Sequence, residues 1–147
     1  MKQLVYLVLG LVLLFGHSTG QARNEALRFS IEDALSQPEA SSRLDSSIRL
    51  FFGDQAYPPV ERKLGSYTSN KKTNAFNKSD REACNWAFLA AIVSLQDRAI
   101  SEGGNAVVNI HSFYYKNEFS SAADFECGAG NVVAGVTIVG QVVKLAD

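Results

Sequence analysis

SDREACNWAFLAAIVSLQDRAISEGGNAVVNI, residues 79–110, decides the fold. It opens on Ser79, followed three residues later by Glu82. At this spacing a hydroxyl and a carboxylate satisfy each other's helix-end amides. The apolar run 86–93 continues the segment, and Gly103-Gly104 supplies a residue free to take the left-handed conformation that closes a helix. The chain then drops directly into Ala106-Val107-Val108-Asn109-Ile110. The reading is a helix over about 79–102 that runs into a strand. At about 100° per residue, Cys84, Phe88, Ala91, Leu95 and Ala99 share one face, while Trp86, Leu89, Val93 and Ile100 lie nearly opposite. Two apolar stripes call for cover on two sides: a sheet on one, the N-terminal segment or a second subunit on the other. Trp86, Leu89 and Val93 are therefore candidate interface residues.

Working outward, residues 47–52 alternate as a first strand closed by Gly53-Asp54. Tyr57-Pro58-Pro59 is an extended connector, because proline neither donates to a ladder nor continues a helix. Residues 60–69 read as a second strand and 69–78 as a polar link. In the third strand, 105–115, Ala106, Val108 and Ile110 fall on one face and Val107, Asn109, His111, Phe113 and Tyr115 on the other. Residues 124–127 begin a return strand. The last strand, 131–145, is apolar on both faces, as in a strand covered on both sides. The expected architecture is α+β, one main helix packed on a small, mainly antiparallel sheet of about four strands. Before it, residues 23–46 are polar, with Ser30 placed to cap a short helix that Gln37-Pro38 ends.

The first residues bear on compartment. Lys2 precedes an uninterrupted apolar stretch, 4–15, and Gly20-Gln21-Ala22 has the small-x-small form of a cleavage site. The stretch is shorter than the roughly 20 residues a spanning helix needs. The division is thus a signal peptide over 1–22, a polar N-terminal segment over 23–46 and one domain over 47–147, periplasmic or secreted after cleavage at Ala22. The two cysteines, Cys84 and Cys127, read in an oxidising compartment as one disulfide. Closing that loop is worth about 4 kcal/mol in the chain-entropy picture. A formal net charge of −1 carries no basic excess of the kind nucleic acid recruits.

The segment 99–110, centred on Gly104-Asn105-Ala106-Val107-Val108, resembles the YbjQ/RcsF-like family of small bacterial proteins. The likeness extends over about 47–145 and is most specific over 82–145. It implies an α+β domain with one main helix on a small sheet. YbjQ-like members are thought to assemble as pentamers and are labelled heavy-metal-binding, while RcsF-like members are stress-sensor lipoproteins of the outer membrane. By that resemblance Cys84 and Cys127 match one of two bridges in the RcsF-like members, and the other pair falls on Phe113 and Val133. No lipidation cysteine follows the signal stretch, so membrane signalling does not carry over. Similar chains are often labelled "excinuclease ATPase subunit", yet no G-x-x-x-x-G-K-[ST] phosphate loop is present.

Candidate chemistry is sparse. His111 is the one histidine after the signal stretch, and its neighbour Ser112 points to the other face of the strand. Glu118, Asp124 and Glu126 with His111 form a weak hard-metal or zinc set without dense ligand spacing. Phe113, Tyr114, Tyr115 and Phe119 concentrate aromatics on one hairpin, so Phe113 and Tyr115 join the candidate interface residues. The expectation is an exported, non-enzymatic bacterial envelope domain with a protein-binding or stress-related role, its partner an envelope protein or a second copy of itself. It needs no cofactor, binds no nucleic acid and has no membrane span after cleavage. The alternative is a small periplasmic heavy-metal-binding protein using His111, Asp124 and Glu126.

Overall fold

A computed structural model describes residues 25–147, and residues 1–22, whose sequence reads as a signal peptide, lie outside the described residues. The elements in chain order are β1 (Glu25–Ser30), α1 (Ile31–Leu35), α2 (Pro38–Arg43), β2 (Arg49–Phe52), β3 (Val60–Asn74), α3 (Asp80–Glu102), β4 (Ala106–Tyr114), β5 (Asn117–Phe119), β6 (Asp124–Ala129) and β7 (Val133–Leu145). α3 forms where its caps place it. Ser79 Oγ accepts from the Glu82 amide at 3.1 Å, and Gly103, at φ +78°, turns the chain out of the helix.

The expected fold is corrected. Seven strands form one curled, mixed sheet in the order β1-β6-β7-β4-β2, with β3 added to β7 and β5 to β4. It is not a mainly antiparallel sheet of about four strands under one helix. β7 is the axis of the sheet. One edge pairs with β3 from Val133 to Leu145, while the other is divided between β6 near Gly135 and β4 beyond Ile138. β2 runs parallel to β4, and β1 extends the sheet beyond β6. β1 escapes a pattern reading because its outward side is charged: Arg28 Nε lies 3.4 Å from Glu126 Oε2, and its guanidinium sits 3.8 Å above the Phe119 ring. β3 continues to Asn74 through residues 70–74, which are as polar as a loop.

β4 also departs from simple alternation. Asn109 takes φ +51°, and the pairing with β7 shifts between Val108 and His111. This bulge moves Ile110 onto the side of Val107, in the core beneath α3, while Ala106 and Val108 stay in a second cluster. The two apolar faces of β7 are thereby explained. Ala134, Val136, Ile138 and Val142 pack under α3. Val143 and Leu145 pack on the other side beneath Phe51, Tyr57 and Val60, so the Tyr57-Pro58-Pro59 connector closes that end of the outer face.

Under α3 the core is built on rings and sulfur. Phe88 stacks on Phe125 at 4.0 Å with planes 10° apart, and Phe29 and Phe52 extend the row from either end. One helical turn before Phe88, Cys84 is bonded to Cys127 of β6, with Cα atoms 5.9 Å apart and both residues buried. Gln96, 2% exposed, fixes the opposite half of the helix. Its Nε2 donates to the Asp45 and Ile48 carbonyls and its Oε1 accepts from the Asp45 amide, which holds the approach to β2. A double Cys84→Ser/Cys127→Ser variant is expected to lose about 4 kcal/mol of unfolding free energy in urea titrations. Reductant should reproduce the loss in the parent and leave the variant unchanged.

Candidate functional site

On the side of the sheet away from α3, the outer face is covered by the proline connector at one end and open at the other. The open end is a groove of about 740 Å³. Its floor is β7, through Val133, Gly135 and Thr137, and one wall is Thr68, Asn70 and Lys72 of β3. These belong together by register, since Asn70 faces Thr137 and Lys72 faces Gly135. The other wall is the β4–β5 hairpin with Phe113, Tyr114 and Tyr115, and the β6–β7 turn closes the end. Lysines 72 and 116 are the charged lining residues. The surface thus offers aromatic faces, hydroxyl and amide groups, and positive charge.

The hairpin is held in an unusual turn. Tyr115 and Lys116 both have positive φ, +49° and +62°, and the Lys116 amide donates to the Phe113 carbonyl at 3.2 Å. That is the conformation for which Asn-Gly is favoured, occupied here by two bulky side chains. Each costs about 1 kcal/mol or more. The strain sets Tyr115 at the tip, 71% exposed, edge-on to Tyr114 at 4.6 Å. Tyr114 in turn lies across Gly128, where a Cβ would collide with its hydroxyl. The glycine therefore lets the second tyrosine lie down and form the wall.

Of the candidate interface residues, Phe113 and Tyr115 meet in this groove, and Val133, the residue matched to Phe113 in the family resemblance, is on its floor. Trp86, Leu89 and Val93 sit elsewhere, on the flank of α3. Trp86 and Leu89 face Ala34 and Gln37 of the α1–α2 segment across a cavity of about 180 Å³, and Leu89 is buried. His111 Nδ1 lies 2.8 Å from the Asn109 carbonyl, which can only accept, so Nδ1 carries the proton and Nε2 faces Glu118 Oε1 at 3.8 Å. Glu126 is engaged by Arg28, and Asp124 is exposed. Among the described residues no three His, Cys, Asp or Glu side chains converge as a metal site.

Thr68, Asn70, Lys72, Lys116 and Val132 were not legible as site residues. The signal that could have found them is the alternation Thr68, Asn70, Lys72, which continues the strand period past the point where hydrophobicity stops. Replacing the turn as Tyr115→Asn/Lys116→Gly is expected to raise stability by about 1 to 2 kcal/mol in urea titrations, as strain is removed without loss of core. No family model, no curated protein and no solved structure matches the chain.

Proposed function

We propose that this is an exported, non-enzymatic bacterial envelope domain that binds a protein partner in the groove between β3 and the Tyr114–Tyr115 hairpin. The observation that carries the reading is the strained turn. A chain that holds two bulky residues in a left-handed conformation, beside an open groove, spends stability at a place where binding would use it. Export is supported by the leader-like residues 1–22, which have the form of a signal peptide cleaved after Ala22 for release to the periplasm. The buried Cys84–Cys127 bond fits an oxidising, extracellular-type environment. The resemblance of residues 99–110 to RcsF-like chains supports the same setting. Among the described residues no helix is long and apolar enough to cross a membrane.

The groove is of a size that takes an extended peptide segment or a comparable ligand. Its mixture of tyrosine, threonine and asparagine resembles that of adaptable protein-recognition surfaces more than that of a dry hydrophobic interface. Affinity capture from envelope extract tests the reading. The parent and an Ile100→Ser control at the far end of α3 are expected to retain the same protein, and Thr137→Arg and Tyr115→Ala to lose it. Capture indifferent to both groove substitutions would sink the proposal.

The heavy-metal alternative rests on the His111–Glu118 approach alone. Zinc, copper and nickel titrations followed by calorimetry are expected to show no stoichiometric binding that His111→Ala removes; tight binding lost in that variant would reverse the order of the two readings.

A further inference from the structure

Large apolar side chains that remain exposed are not scattered over this domain. Among the described residues they are Phe76 at 63%, Tyr115 at 71%, Val132 at 63%, Val133 at 47% and Ile100 at 49%. All but Ile100 gather at one end. The Ala75 amide donates to the Val132 carbonyl at 2.7 Å, which sets Phe76 next to Val132. Asn74 pairs with Val133, and Tyr115 lines the same end of the groove as Val132 and Val133. Three separate chain segments, 70–78, 113–117 and 128–135, therefore contribute to one tip.

The charges on those segments have one sign. Lys71, Lys72, Lys78 and Lys116 lie on them and no acidic residue does. The Lys78 ammonium donates to the Asn74 carbonyl, which anchors it at the tip without neutralising it. The nearest acids along the chain are Asp80, in the first turn of α3, Glu118, which faces His111, and Glu126, which is engaged by Arg28. Glu25 is close in space through its pairing with Ala129.

We propose that the tip docks peripherally on an anionic phospholipid bilayer. Phe76 and Val132 enter the boundary between headgroups and acyl chains, Tyr115 lies at headgroup level, and the four lysines meet lipid phosphates. Aromatic side chains with one polar end favour that depth, and clustered lysines are drawn to anionic leaflets. Three segments whose own charges are all positive, around separate apolar loop tips, match a surface that is negative and fluid. A folded protein partner would present fixed charges of both signs. The inference rests on the export reading; it shares Lys72, Tyr115, Lys116 and Val132 with the groove lining, whereas Phe76, Lys71 and Lys78 lie outside it.

The test is flotation of the protein, purified after export, with vesicles of phosphatidylethanolamine and phosphatidylglycerol, or of phosphatidylcholine alone. The parent is expected to float with the anionic vesicles and to be released by salt. Phe76→Ser/Val132→Ser and Lys71→Glu/Lys72→Glu are each expected to weaken that association by about tenfold or more. Equal flotation of parent and variants overturns the proposal, as does equal affinity for both vesicle types. Phe76→Trp gives a local reading: brominated acyl chains should quench its emission beyond the quenching seen for Trp86 in the parent, and absence of that extra quenching counts against insertion. Inorganic phosphate in excess over the protein, at constant ionic strength, should leave flotation unchanged. Displacement by phosphate would mean a small-anion site in place of a bilayer surface, and would overturn the proposal.

Discussion

Phe88 of α3 lies flat against Phe125 of β6, with the Cys84–Cys127 bond one turn away, and the architecture depends on that contact. β7 cannot carry two full partners on one edge. It gives the Gly135 end to β6 and the Ile138–Val143 end to β4, so the sheet is split at the point where β6 departs. Stacked rings resist sliding and burial of their area drives the contact, while the sulfur bond limits how far helix and strand can separate even in the unfolded chain. With α3 fixed over the split, the branch formed by β6 and β1 is held to the sheet that β3, β7 and β4 form. The Tyr114 ring lies over Gly128 of β6, so the wall of the groove stands on the same junction.

The two faces of the sheet divide the work. The inner face holds nearly all of the large buried side chains and supplies rigidity. The outer face has a small apolar cluster under the proline connector, and then opens into polar and aromatic surface. A strained turn survives at that edge because β4 and β7 are tied down elsewhere. Strain is tolerable where the surrounding structure over-determines the backbone.

The parts of this fold written locally were legible in the sequence. Ser79 and Glu82 mark the start of α3 and Gly103 its end, and the apolar residues on both faces of 131–145 mark β7. The pairing of Cys84 with Cys127 followed from their number and compartment. What was hidden depends on distant partners. β1 and the second half of β3 carry too little hydrophobicity to declare themselves, because much of their exposed side is polar and their stability comes from β6 and β7. The parallel pairing of β2 with β4 leaves no mark in residues 49–52. At Asn109 a single left-handed residue reversed the inside and outside of all that follows in β4, which no count of alternating residues contains. The groove shared that obscurity, being assembled from a polar edge strand and two turns, although Phe113 and Tyr115 drew attention to one wall.

β3 has a further consequence for life at high concentration. It is 15 residues long, and among the described strands it pairs only with β7, so its other edge is a ready template for a second chain. Two copies laid antiparallel about Tyr67 would bring Arg62 and Lys63 of one chain toward Lys71 and Lys72 of the other. Like charges opposed across a ladder are unfavourable, and here they occur at both ends of the would-be seam. The cations at both ends of this strand thus guard it against edge-to-edge self-association, leaving its backbone open only to a strand that brings acidic side chains of its own.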